Sequence, residues 1–175
     1  RMSMVKVLSE YILSLGQEAY IPNFFCKAYR PVLYIPSKEE VKELLQKMDI
    51  RTSHNSEQFR LDRECKILFL LYFCCGLRLS EGRLLKWEHI DLDKGILTVL
   101  GSKGNKDRLV YLPQDSLPVL KNYKERQEML FPGIDWAFPG KDPHKPVSCS
   151  GVESSFNRHW AMLPVARTVD KHPTP

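Results

Sequence analysis

The chain has 175 residues, 43% of them hydrophobic and 27% charged, with a formal net charge of +5. That balance excludes intrinsic disorder, because so apolar a chain buries enough surface to offset its ordering entropy, and the length suits one domain with a small appendage. A membrane-crossing helix is excluded too: the longest apolar run, residues 67–75, is about half of what a bilayer needs.

Residues 1–16 mix charge, Ser and Glu into their apolar positions, which does not suit a signal peptide, and the Arg at position 1 reads as a boundary set by processing. Val5, Leu8, Ile12 and Leu15 recur at helical spacing, with Gly16 as a stop. One amphipathic helix is not a domain, so this helix must pack on the rest or be the remnant of another domain. Pro22, Pro31 and Pro36 then fix an extended linker over residues 20–36.

Ser37 and Glu40 form a capping box, and Val41, Leu44, Leu45 and Met48 make one apolar stripe behind it. Residues 51–61 are polar and loop-like. From Asp62 to Cys75 the chain is apolar on every side, which predicts a central buried helix with Ile67, Leu70, Leu71 and Cys74 inside. Gly76 ends it. A short helix over residues 80–86 follows, in which Gly82 costs roughly 1 kcal/mol relative to Ala.

Residues 96–100 and 109–112 read as strands flanking a Gly- and Asn-containing turn over residues 101–107, with a third short strand at residues 90–92. Asp115 is a plausible N-cap for a helix reaching Leu130, with Pro118 in its first turn. Residues 131–147 form a Pro- and Gly-rich loop. A second capping box, Ser150 with Glu153, opens a last helix whose face is Val152, Phe156, Trp160 and Leu163.

The five cysteines, Cys26, Cys65, Cys74, Cys75 and Cys149, are odd in number and lack the paired spacing that zinc requires, which indicates a reduced, cytoplasmic protein. Charge is local rather than global. Residues 37–100 carry eleven basic and eleven acidic side chains, whereas residues 101–110 carry Lys103, Lys106 and Arg108 against Asp107 alone. Such a turn is either a solvated hairpin tip or a phosphate contact. Arg78 is the sharpest oddity, because it follows an apolar helix at a Gly stop, where an Arg needs a partner. It either pairs with Glu81 or presents its planar fork to a phosphate.

Cys75-Gly-Leu-Arg-Leu-Ser-Glu81, Trp87-Glu-His-Ile-Asp91 and Gly101-Ser-Lys-Gly-Asn-Lys-Asp-Arg-Leu-Val110 together resemble the tyrosine recombinases of the phage integrase and Xer family. The resemblance implies an α+β, mainly α fold: a helical catalytic domain with a small antiparallel sheet at its edge. It implies a last core-binding-domain helix at residues 1–19, a linker at 20–36 and a catalytic domain from residue 37 to 175. By that resemblance Arg78 clamps the scissile phosphate and Glu81 orients the region. Lys103 protonates the departing 5′ oxygen, with Lys106 as the rival for that role. Lys106 and Arg108 are otherwise DNA contacts. The partners implied are double-stranded DNA and further copies of the protein on it, with no membrane and no cofactor or metal.

The family's chain continues into Pro-His-x-Leu-Arg-His and later the nucleophilic Tyr. Here Val169-Asp-Lys-His-Pro-Thr-Pro175 looks like the approach to that box, neither His159 nor His172 has an Arg three positions on, and the seven tyrosines read as structural. The expectation is therefore a site-specific recombinase or integrase of a mobile element, present as a fragment without its nucleophile and inactive alone. The alternative is a non-catalytic DNA-binding module on the same scaffold. Arg78 and Lys103 are expected on one face, and DNA binding is expected to be weak and steeply salt-dependent.

Overall fold

In a computed structural model the described residues are 2–21, 34–50, 54–102, 106–167 and 173. The chain divides into two units, residues 1–33 and 34–175. In the first, α1 (Met2–Ser14) ends at Gly16, whose φ of 75° is a left-handed stop that favours glycine. Val5, Leu8 and Leu15 of its predicted stripe are exposed. Most of the predicted linker lies outside the described residues, but Tyr34 belongs to the second unit. Its hydroxyl donates to Glu40 at 2.6 Å and its ring lies 6.1 Å from that of Trp160.

The second unit opens with α2 (Lys38–Lys47), held by the capping box: Glu40 N–H donates to Ser37 Oγ and Ser37 N–H to Glu40 Oε2. Leu44 and Met48 enter the core. The central helix α3 (Ser56–Cys75) begins earlier than its apolar run, because Asn55 Oδ1 accepts from Glu57 N at 2.9 Å and caps the polar turn. Its polar residues are then satisfied along the helix, Gln58 with Asp62 and Arg60 with Glu64. The expected all-round burial is corrected. Leu61, Cys65, Leu68, Phe69 and Leu71 are buried, Ile67 and Leu70 are half-buried, and Phe73 and Cys74 face outward. Helix α2 and three helices later in the chain pack on α3.

The helix α4 is Leu79–Arg83, followed by a 3₁₀ turn at Trp87–His89. Strands β1 (Ile90–Asp91), β2 (Ile96–Ser102) and β3 (Lys106–Tyr111) form an antiparallel sheet in that order. The strands run further than the sequence indicated, so Lys106 and Arg108 lie in β3 rather than in the turn. Pairing of Ile96 with Tyr111 and of Thr98 with Leu109 puts these four on one face, and Leu109 and Tyr111 are exposed there. Leu97, Val99, Arg108 and Val110 share the inner face.

Asp115 is not a cap: a 3₁₀ turn (Gln114–Ser116) precedes α5 (Leu117–Leu130), and Ser116 Oγ donates to Pro113 O instead. The loop after α5 is pinned by Tyr123, whose hydroxyl donates to Ala137 O and whose ring stacks on Phe138. Helix α6 (Cys149–Trp160) is capped by Ser148, which accepts from Gly151 N at 3.0 Å, so the Ser150 box does not form. Its predicted face, Val152, Phe156, Trp160 and Leu163, is fully buried. Buried Asp62 accepts from Ser155 and Arg158 and ties α6 to α3. Among the described residues no helix is long and apolar enough to cross a membrane.

Candidate active site

The site is built where α3 stops. Gly76 takes φ 60° and its N–H closes the helix on Tyr72 O, which turns the chain so that Leu77 enters the core and Arg78 emerges. Arg78 has extended backbone (φ −74°, ψ 155°) and is the N-cap residue of α4. Its own N–H donates to Glu81 Oε2 at 2.8 Å, and its Nη1 donates to Glu81 Oε1 at 2.6 Å. The Arg78 side chain is 55% exposed and that of Glu81 only 7%.

Glycine at 82 makes this placement possible. A Cβ there would sit 2.3 Å from Cε1 of Tyr72 and 2.9 Å from Cδ1 of Leu68, so α4 rests directly on α3. Tyr72 is itself fixed, its hydroxyl donating to Leu79 O at 2.9 Å. The helix cost attached to Gly82 is thus offset by close packing beneath the Arg78 turn.

From the sheet, Arg108 meets the same carboxylate. Its Nη1 donates to Glu81 Oε1 at 2.9 Å and its Nη2 to Oε2 at 2.8 Å. The two-pronged hydrogen bonding from Arg108, followed by the Arg78 backbone and side chain, holds the Glu81 carboxyl far below the usual carboxylate range, although burial opposes this. The Arg108 guanidinium is in turn stabilised in its charged form. A cavity of about 140 Å³ lies between α4 and β2 beside this cluster, lined by Ser80, Glu81, His89 and Gly101 among others.

The structure therefore brings Arg78, Glu81 and Arg108 together. The Arg78–Glu81 ion pair weighed from the sequence forms. Arg108 is a partner of Glu81 rather than a solvated charge, a role that spacing did not reveal because its partner lies 27 residues away. Lys103 and its approach to Arg78 lie outside the described residues, as do the Lys106 side chain and His172. Lys106 pairs with Ser102 through the strand backbone, and Gly101 N–H donates to Asp107 Oδ1 where the register shifts. His159 is fully buried, its Nδ1 2.7 Å from Ser155 O, and belongs to the core.

The sequence pattern of the phage integrase family matches residues 37–172. The chain belongs to the phage integrase family. It is similar to tyrosine recombinase XerA of Pyrococcus furiosus, 41% identical over 91 residues, which are 52% of this chain and 28% of that protein. The putative integrase/recombinase y4rB of Sinorhizobium fredii is 32% identical over 139 residues, 73% of this chain and 41% of the relative. This phage integrase family chain thus spans less than half the length of either relative. Among solved structures, a lambda integrase tetramer bound to a Holliday junction has a TM-score of 0.68 at 16% identity, covering 99% of this chain and 47% of that one. XerH bound to its difH substrate before cleavage has a TM-score of 0.63 at 22% identity, covering 95% and 47%. At these identities the structures establish the shared fold: mainly helical, with a three-stranded antiparallel sheet.

Proposed function

We propose that this chain supplies part of the active site of a site-specific tyrosine recombinase, which cuts and rejoins duplex DNA through a 3′-phosphotyrosine. The observation that carries the reading is the Arg78 guanidinium, more than half exposed yet held at its base by a largely buried carboxylate. A fixed cation of this kind stabilises charge that develops on the non-bridging phosphate oxygens, and it costs no reorganisation when the reaction begins. Glu81 holds it in place. Lys103 is proposed as the acid that protonates the departing 5′ oxygen, with Lys106 as its rival or as a phosphate contact. A free lysine ionises near about 10.4, so the role needs a field from the DNA or its neighbours.

The nucleophile is proposed to come from outside residues 1–175. Tyr34, Tyr72 and Tyr123 spend their hydroxyls on Glu40, Leu79 O and Ala137 O, and Tyr111 projects from the sheet face opposite to Arg108. Residues 1–19 are proposed as the last helix of a core-binding domain, residues 20–36 as a linker and residues 37–175 as catalytic-domain sequence. Relatives named as tyrosine recombinases, and a neighbour solved as a DNA-bound tetramer, support duplex DNA as partner and self-association upon it.

The Arg78–Glu81 ion pair favours one rival reading: a DNA-binding module in which Arg78 is purely structural. A suicide substrate separates the two. Residues 1–175 should give no covalent protein–DNA band, whereas a polypeptide continuing through a His-x-Leu-Arg-His box and a tyrosine should, and Arg78→Ala should abolish it. A band mapped to a tyrosine within residues 1–175 overturns the assignment of the nucleophile. Undiminished cleavage by Arg78→Ala overturns the assignment of Arg78.

A further inference from the structure

Helices α3 and α5 each turn one face toward a cavity of about 510 Å³ that shares no residue with the Arg78 turn. Arg63, Glu64 and Ile67 line it from α3, and Val119, Tyr123 and Arg126 line it from α5, in both cases at the spacing of a single helix face. We infer that this cavity binds a small amphiphilic anion: an apolar body with an anionic group at its outer end and a hydrogen-bond donor at its inner end. The inference goes beyond the reading of Arg78 and does not rest on it.

Each part of that ligand answers a feature of the cavity. The Glu64 side chain is more than nine-tenths buried; its Oε1 accepts from Arg60 at 2.7 Å, and its Oε2 has no hydrogen-bond partner among the described residues. Polar groups around it are committed elsewhere. Arg60 also donates to Gly140 O, Tyr123 donates to Ala137 O, and Gln127 donates to Trp136 O while accepting from Trp87 Nε1. A buried acceptor left in this way costs free energy until a donor reaches it. Arg63 and Arg126, one from each helix, are exposed and stand at the rim. Among the described residues neither forms an ion pair, whereas Lys66, which lines the same cavity, is held by Asp49. Their planar forks match the two oxygens of a carboxylate. Ile67, Val119 and Leu130 add apolar surface to the walls. A bare DNA phosphate uses neither those walls nor the buried acceptor, and the volume falls in the range of about 300–1,000 Å³ that small molecules occupy.

Indole-3-propionate is the probe, because it carries an N–H donor, an apolar ring and a carboxylate in that order. Added to residues 1–175 and followed by methyl NMR, it should shift Ile67, Val119 and Leu130 together and saturate with a Kd of about 1 mM or tighter, as expected for a ligand of its size. The propionamide, which lacks the charge, should bind at least ~10-fold more weakly, and the N-methyl analogue, which lacks the donor, at least ~5-fold more weakly. Replacing both rim residues, Arg63→Gln with Arg126→Gln, should weaken the acid ~10-fold and leave the amide unchanged. A misfolded variant weakens acid and amide alike, and the comparison of the two on the parent then decides. A short DNA duplex should not displace the probe. No saturable shift, equal binding of acid and amide, equal binding of the N-methyl analogue, or undiminished binding of the acid by the double variant each overturns the inference. Displacement by the duplex overturns it too, since Arg63 and Arg126 then belong to a DNA contact.

Discussion

Glu64 lies in α3 with 7% of its surface exposed, paired with Arg60 through Oε1 while Oε2 meets no hydrogen-bond partner among the described residues. Burial pushes its carboxyl up to about 7, against the opposing pull of Arg60. The folded state therefore holds a proton that the unfolded chain has already lost, and stability falls as pH rises from about 4.5 to about 7. A shift of that size corresponds to about 3 kcal/mol, so Glu64→Gln should flatten the urea midpoint across pH 5 to 8, most visibly at the alkaline end. A variant whose pH profile matches the parent's would show that Glu64 ionises normally in the fold. The cysteines offer a second check at this scale. Cys65 is buried with its thiol pushed up to about 12, whereas Cys74 and Cys149 are exposed. Alkylation followed by peptide mass spectrometry should label Cys74 and Cys149 in the native protein and Cys65 only after unfolding.

Among the elements, the α4 turn is the most tightly specified. Gly82→Ala gains roughly 1 kcal/mol of helix propensity but drives a Cβ into the Tyr72 ring, and overpacking of this kind typically costs 1–3 kcal/mol. We expect a net loss of up to about 2 kcal/mol in a denaturant melt, relieved by Tyr72→Leu if the ring is the obstacle. The α3 cap predicts a smaller effect: Asn55→Ala should cost about 1 kcal/mol. What could be read from the sequence differed by element for physical reasons. The α2 capping box and the α6 stripe rest on contacts within four residues, and both appear as spacing. The start of α3 was hidden because Gln58 and Arg60 look like loop residues until their partners Asp62 and Glu64 are counted. Its exposed end at Phe73 and Cys74 was hidden because a run without polar residues has no readable face. Arg78 stood out by its motif, but Arg108 did not. An inward Arg108 looks like any other hairpin charge until the strand register sets it opposite Val99.

At the scale of the molecule, the fold is that of the phage integrase family, and the clamp and the nucleophile are both proposals for it. The basic excess in the hairpin is small, so duplex binding by residues 1–175 should be weak and lost steeply with salt. Lys106→Ala should lower the slope of log affinity by about one. A slope unchanged in that variant removes Lys106 from the DNA contacts.

The bond network around Asp62 bears on how the domain comes apart. Asp62 is 2% exposed and joins Ser155, 93 positions later in the chain, so a long loop in this unit closes on a desolvated charge. Without α6 that charge keeps only Gln58 and loses Ser155 and its counterion Arg158, which makes a half-assembled intermediate expensive and unfolding cooperative. The connecting segment is meanwhile fastened on the near side of its exposed lysines by Arg60 on Gly140 O, and on the far side by Val147 on Phe138 O. A single tryptic cut after Lys141 should therefore leave two fragments that elute together on gel filtration and part only in denaturant.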